Sequence, residues 1–356
     1  MRRERYDIKD KTIVCGSTFG QFYIDALMKY SEFFEIAGLY ARGSERSIEL
    51  AKRYGIPLFT SIKGIPNEIT LACVVIRSEG VGGDGCKLAI QLMERGIHVI
   101  QEQPVYPENV VECYKVARKY RVIYNIGNLY IKLPEVQHFI NVSKKLNNLN
   151  SVQYMSLCFC TQVAFPAIAI LAEAISGFHE WNGLSVIKNN GPFDIITGMA
   201  GKVPMTIQFN NQINPKMPDD LMYVLHRFSV FFQSGILTLE DTFGPVSWRP
   251  RIFVEKYGVA ERDEEKLNEP AFALVNEYRE KQLKEIFRNE WTGAIGLQLL
   301  EMKNQIENSR LDTNRAQKDL MVSKLWTELY RATGYANLID DIDYIYIPTK
   351  KIRTTY

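Results

Sequence analysis

Nine segments in the first third of the chain alternate between two hydrophobic periods, and no other feature constrains the fold as tightly. KTIVCG (Lys11–Gly16), FEIAGLYA (Phe34–Ala41), LACVVIRS (Leu71–Ser78), IHVIQE (Ile97–Glu102) and VIYNIG (Val122–Gly127) are short, apolar or β-branched runs. Such runs suit strands covered on both faces. Between them, FYIDALMKY (Phe22–Tyr30), SIELAKRYG (Ser47–Gly55), GCKLAIQLMERG (Gly85–Gly96) and NVVECYKVARKYR (Asn109–Arg121) carry apolar residues at helical spacing. Alternation at this pace builds βαβ units around a parallel sheet. The expectation is an α/β Rossmann domain over residues 1–128.

Two loops of this unit carry chemistry. The first is GSTFG, Gly16, Ser17, Thr18, Phe19 and Gly20, between the first strand and the first helix. It is a shortened form of the glycine fingerprint, with Thr18 in the second glycine position. There, backbone N–H groups and the helix N-terminus can hold a pyrophosphate. The second loop, LYARGSERS, follows the second strand, where an NAD site places a carboxylate for the ribose. This chain has Arg42, Gly43, Ser44, Arg46 and Ser47 instead. Arginine and serines at a helix start would bind a 2′-phosphate, so the expected cofactor is NADPH/NADP.

From about Lys132 the rhythm changes. VQYMSLCFC (Val152–Cys160) reads as a strand and FPAIAILAEAISG (Phe165–Gly177) as a helix. Shorter strands follow, with hairpin turns expected at Asn189–Asn190–Gly191 and at Gly235. Asp312–Gly334 is an amphipathic helix with a glycine stop, and VAERDEEKLNEP (Val259–Pro270) is an exposed loop. Residues 129–356 are therefore expected to form an α+β substrate domain with a mostly antiparallel sheet, its C-terminal helix free to pack back on the first domain. The longest apolar stretch is interrupted by Gln162, Pro166 and Glu173, so no membrane span is expected. No apolar signal run follows the N-terminal arginines, and a cytoplasmic location is the expectation. Forty-three basic residues against 41 acidic ones leave a net charge of +2, which gives no reason to expect nucleic-acid binding. Six cysteines in 356 residues make no disulfide scaffold. Cys15, Cys73 and Cys86 read as small buried hydrophobes. Cys158 and Cys160 share a strand face but lack further ligands nearby, so no metal is expected. Of the histidines, His98 reads as a packed strand residue, and His138, His179 and His226 have no partner spacing. Trp248 and Arg249 fit either a substrate cleft or a domain interface.

The combination of GSTFG, GLYARGSERSIELAKRYGIPLFTS, VVIRSEGVGGDGCKLAIQLMERGIHVIQEQPVYPE and HRFSVFFQSGILTLEDTFGPVSWRPR resembles the Gfo/Idh/MocA oxidoreductases. Within them it resembles the thiazolinyl imide reductases of siderophore assembly lines. The resemblance implies reduction of a thiazoline C=N to a thiazolidine by NADPH. The substrate would be a thioester on the carrier protein of a nonribosomal peptide synthetase. It extends the expected cofactor contacts to Arg77, Ser78, Glu102 and Pro104, and a homodimer is expected. Three residues are candidates for the chemistry: Gln103, Tyr106 and Tyr130. The family carries a histidine where Gln103 stands, and an amide cannot release a proton near neutral pH. Tyr130 matches the family's active-site tyrosine by position, and a phenol, with a reference pKa of about 10, is protonated at neutral pH. Tyr106, just past Pro104, is a further possible donor. Two alternatives stand beside this reading. One is a non-catalytic NADP-binding regulator on the same fold, suggested by Gln103. The other is a sugar or polyol dehydrogenase, whose usual lysine and Asp-x-x-x-His helix are missing here; Glu173 is the only titratable group on the corresponding segment.

Overall fold

The computed structural model describes residues 9–77, 83–220, 222–252, 268–309, 312–340 and 345–353. The first sheet is parallel and six-stranded, in the order β3-β2-β1-β4-β5-β6. Its strands are β1 (Asp10–Cys15), β2 (Phe34–Tyr40), β3 (Leu58–Phe59), β4 (Leu71–Val74), β5 (His98–Glu102) and β6 (Tyr124–Gly127). Helices α1 (Gly20–Lys29), α2 (Glu45–Tyr54), α3 (Gly85–Glu94) and α4 (Pro107–Tyr120) connect them. The strand order reverses between β1 and β4. In open α/β sheets that switch point is where ligands bind, outside the carboxyl ends of the strands.

Local chemistry explains most of the boundaries. Ser44 caps α2 by accepting from the Ser47 N–H, and Gly55 ends it in the left-handed region. Pro107 opens α4, where a missing N–H costs nothing. The apolar run from Leu71 extends past its strand: β4 stops at Val74, not Ser78. Val75 N–H still reaches the Cys15 carbonyl at 2.7 Å, and the chain then bends to meet Gly83 and Gly85. A Cβ on Gly83 would lie 1.7 Å from the Arg77 carbonyl oxygen, so only glycine permits the return.

A 3-10 turn (Leu129–Lys132) leads into α5 (Pro134–Leu149), marked in the sequence only by Pro134 at its first turn. The second sheet has eight strands in the order β15-β14-β13-β12-β7-β10-β9-β8. These are β7 (Val152–Cys160), β8 (Trp181–Ile187), β9 (Phe193–Ala200), β10 (Val203–Asn210), β12 (His226–Phe232), β13 (Gly235–Leu239), β14 (Val246–Pro250) and β15 (Ala273–Leu274). Only β7 and β10 pair in parallel; the other neighbours are antiparallel. Asn189–Asn190–Gly191 lies in the β8–β9 connection as expected. Gln233 and Ser234 turn the chain from β12 into β13, and Gly235 closes this hairpin by pairing with Phe232; a Cβ at Gly235 would meet the Trp248 ring at 2.7 Å. A two-residue pair, β11 (Gln212–Ile213) with β16 (Asn337–Leu338), stands apart.

Buried side chains form one continuous core through both sheets and α6 (Ala164–Ala174). Two late helices, α7 (Thr292–Glu307) and α8 (Thr313–Thr333), return to the first domain. On α7, Lys303 bonds Asp10 at 3.1 Å, and Gly296 lets the Tyr30 ring of the α1 end approach. On α8, the Ser323 hydroxyl donates to the Val105 carbonyl, and Asp319 accepts from Tyr114 at 2.6 Å. The same helix reaches the second domain, where Trp181 Nε1 donates to the Leu325 carbonyl at 2.9 Å. No described helix is long and apolar enough to cross a membrane.

Ahead of α7, the buried ammonium of Lys281 sits between Glu135 and Glu290. Lys281→Met should lower stability by about 3–5 kcal/mol at neutral pH, because it strands two buried carboxylates side by side. Urea unfolding at neutral pH measures the loss.

Candidate active site

The cleft opens at the switch point. Gly16 follows β1 at φ +113°, and its N–H bonds the Tyr40 carbonyl at the end of β2. A Cβ at Gly16 would stand 2.3 Å from the Val75 carbonyl oxygen, so the turn lies hard against the end of β4. Gly20 begins α1, whose N-cap, Phe19, makes no side-chain cap. The first N–H groups of α1 therefore remain open to an anion. Arg46, the first-turn arginine of α2, donates to the Thr18 hydroxyl at 3.3 Å and ties the two sequence-predicted loops together. Arg42 is exposed and holds only a loose contact of 3.7 Å to Asp84. Gly43 has φ +81°. Ser47 is fully buried, and its hydroxyl donates back to the Ser44 carbonyl at 2.7 Å. Ser44 and Ser47 thus shape the start of α2, while Arg42 and Arg46 carry its free charge. The cradle of glycine turn, uncapped helix and exposed arginines fits the phosphates of a nicotinamide dinucleotide.

Arg77, beyond β4, crosses to the second domain and bonds Asp219 at 2.9 Å. Both side chains are largely exposed, so this pair contributes little stability. Its interest is position, since it bridges the two domains beside the cradle. Ser78 lies outside the described residues.

The far side of the cleft is built by the ends of β5 and β6. Glu102 is half-buried and accepts a 2.5 Å hydrogen bond from Tyr23, a fully buried residue of α1. Burial pushes the Glu102 carboxyl up to about 8, against the opposing Tyr23 hydroxyl and Gln103 N–H. Gln103 precedes Pro104 through a cis peptide bond, and its N–H bonds the Gly127 carbonyl at 3.2 Å. Its side-chain Oε1 is buried without a hydrogen-bond partner among the described residues, an acceptor facing no donor. Tyr130 sits in the 3-10 turn after β6, placed by Asn128, whose Oδ1 accepts from the Tyr130 N–H at 3.2 Å. It is 7% exposed, and burial pushes its phenol well up, with smaller contributions from Cys160, Glu102 and Asp219.

Against Tyr130 stands His226, ring centroids 5.2 Å apart. Its Nε2 lies 3.0 Å from the Val163 carbonyl, which can only accept, so Nε2 carries the hydrogen and Nδ1 accepts from Thr242. Burial pulls this imidazole down to about 4, and it stays neutral. Both nitrogens are engaged within the protein. Tyr106 turns elsewhere: it caps α4 and packs edge-on against Trp326 of α8 at 5.1 Å. Glu173 is held low by its lysine partners, Lys318 and Lys144, in spite of burial. Trp248 covers Gly235 and Arg249 stacks on Phe272, contacts within the second sheet. Cys158 and Cys160 are both buried free thiols pushed up by burial, and no metal-holding cluster occurs among the described residues.

One residue escaped the sequence reading. Trp291 ends a π-helical turn (Ile286–Trp291) and joins the cradle to Tyr130. Its ring lies 5.6 Å from Phe19, 5.1 Å from Phe22, 4.8 Å from Phe287 and 6.2 Å from Tyr130. Its Nε1 is buried without a partner among the described residues. Nothing in NEWTG marks it except the tryptophan itself.

Residues 11–128 match the model of the Gfo/Idh/MocA oxidoreductase family, NAD-binding Rossmann fold. Residues 150–249 match the thiazolinyl imine reductase Irp3-like C-terminal domain. Sequence comparison with curated proteins finds no match. Similar solved structures include GenD2 from gentamicin A biosynthesis in complex with NAD, at 13% identity and TM-score 0.66, covering 93% of this chain and 96% of that one. They also include KijD10, a 3-ketoreductase from Actinomadura kijaniata in complex with NADP, at 11% identity and TM-score 0.65, covering 93% and 99%. A third is the UDP-N-acetylglucosamine 3-dehydrogenase GnnA from Acidithiobacillus ferrooxidans, at 13% and 0.64, covering 91% and 98%. At these identities the likeness is one of fold.

Gly16→Ala should destabilise the protein by about 2–4 kcal/mol, from backbone strain at positive φ and collision with the β4 carbonyl. Chemical denaturation of the free protein measures it.

Proposed function

We propose that this chain, a Gfo/Idh/MocA oxidoreductase with an Irp3-like C-terminal domain, reduces the C=N bond of a thiazoline to a thiazolidine with NADPH. The substrate is read as a siderophore intermediate, thioester-linked to the carrier protein of a nonribosomal peptide synthetase. The observation that carries this reading is the match of residues 150–249 to the thiazolinyl imine reductase Irp3-like C-terminal domain, and the protonation of the cleft agrees with it. Tyr130 and Glu102 both hold protons at neutral pH, and the neighbouring His226 has both nitrogens engaged. Gln103 is an amide, and α6 offers no Asp or His. An alcohol dehydrogenase needs a group to receive the hydroxyl proton. This cleft offers donors without a ready base, which suits reduction over oxidation, and the choice of C=N rests on the Irp3-like domain.

Gly16, Ser17, Thr18, Phe19 and Gly20 would hold the pyrophosphate, with Arg42, Gly43 and Ser44 at the 2′-phosphate. Ser47 supports that site from below. Arg77, Glu102 and Pro104 would line the nicotinamide side. When bound, the cofactor supplies hydride to the imine carbon. Tyr130 donates a hydrogen bond and then its proton to the ring nitrogen, which makes the carbon more electrophilic as the hydride arrives. Gln103 Oε1 can accept from an amide N–H, and Tyr106 braces the loop between β5 and α4. The unpartnered Gln103 acceptor also motivates the second reading, a binding-only regulator that would hold NADPH and turn nothing over.

Oxidation of NADPH with a thiazolinyl thioester analogue, beside glucose and inositol controls run with NADP, decides between these. Consumption with the thiazoline alone is expected. Tight cofactor binding without turnover would favour the regulator. Arg42→Asp should weaken NADPH about tenfold or more and NADH far less, because it removes a phosphate partner and adds repulsion. Equal losses would remove the 2′-phosphate assignment. Tyr130→Phe should lower kcat by about 100-fold or more with little change in NADPH affinity.

A further inference from the structure

A cavity of about 240 Å³ lies where α6, α8 and the 3-10 turn after β6 meet. None of the residues assigned above to the cofactor lines it, and neither does Tyr130, whose ring faces His226 and Trp291 instead. Its volume is below the roughly 300–1,000 Å³ of pockets for drug-sized molecules, so it suits a small occupant. Part of the wall is apolar: Ile126, Ile131, Phe165 and Val322. The rest is polar, and there the donors and acceptors do not balance. Each acid of the wall is satisfied. Glu173 holds Lys144 and Lys318, Asp312 accepts from the Arg315 N–H at 3.1 Å, and Asp319 accepts from the Tyr114 hydroxyl at 2.6 Å.

Two donors are left over. Asn128 is 5% exposed, and its Oδ1 accepts from the Tyr130 N–H at 3.2 Å. That bond fixes the orientation of the amide, since an N–H needs an acceptor. Nδ2 is then the spare end, buried with no hydrogen-bond partner among the described residues. Arg315 gives Nη2 to the Ile126 carbonyl at 2.9 Å, but its buried Nε has no such partner. The nearest carboxylates stand off from this guanidinium, Glu301 at 3.8 Å and Asp319 at 3.9 Å. Glu301 is moreover shared with Lys132. Buried donors without acceptors are costly, and a guanidinium without a bonded carboxylate calls for one. We propose that this cavity binds a small carboxylate carried on an apolar body. The carboxylate accepts from Asn128 Nδ2 and Arg315 Nε, and the body lies against Ile131, Phe165 and Val322. A neutral acceptor would satisfy the donors alone; an anion also answers the charge of Arg315. The site is separate from the cleft and does not depend on which substrate the cleft reduces.

Calorimetry on the full chain with benzoate, a probe of this class, should show saturable binding at millimolar concentration or below. Binding should persist with NADP present, because the cavity shares no residue with the cofactor cradle. Benzamide, which keeps the body without the charge, and acetate, which keeps the charge without the body, should each bind about tenfold more weakly or worse. Asn128→Asp keeps an acceptor for the Tyr130 N–H but sets a carboxylate against the ligand, and should weaken benzoate about tenfold or more. Ala169→Leu fills the cavity from α6 without touching either donor. It should weaken benzoate by a similar factor while NADP affinity and the unfolding midpoint stay close to those of the unaltered chain. Absence of saturable binding would mean that water alone fills the cavity, and would overturn the proposal. Displacement of benzoate by NADP, or unchanged affinity in Ala169→Leu, would place the ligand elsewhere and overturn it as well. Equal binding of benzamide would remove the carboxylate from the assignment.

Discussion

The buried contact between Lys303 and Asp10 fixes the geometry on which the cleft depends. It ties α7 to the first residue of β1, more than 290 positions away in sequence. With α7 so placed, Trp291 at its start falls between Phe19 of the glycine turn and Tyr130. The cradle and the proton-bearing phenol are thus positioned by the same helix. Removing one partner of a buried ion pair costs far more than the pair contributes, so the contact acts chiefly by forbidding other arrangements.

The chemistry follows from what burial does to each titratable group. The imidazole of His226 is driven to its neutral form, while the Tyr130 phenol and the Glu102 carboxyl are driven to hold protons. All three changes come first from desolvation and only second from neighbours. An apolar cleft with few cations therefore becomes a store of acids.

Much of this was legible in the sequence. Period-2 and period-3.6 runs gave the first sheet and its helices because each is short, strongly apolar and closed by glycine or proline. The loops after the first and second strands were legible as strand-to-helix turns because glycine and serine mark them, and the fold brings them together through Arg46 and Thr18. Three things were not. The end of β4 is set by the close return of Gly83 and Gly85 onto Arg77 and Ile76, which no local pattern encodes. The close packing of Gly235 under Trp248 joins two strands and leaves no local mark. Trp291 and the Tyr23–Glu102 bond join residues that only the folded chain brings together, so spacing carries no trace of them.

The helix α8 has a mechanical meaning of its own. It is fastened to one domain through Val105 and Tyr114 and to the other through Trp181 and Thr161. A strut shared in this way resists hinging, so the molecule behaves as a fixed jig and not as a pair of jaws. A fixed jig gains no selectivity from closing around its load.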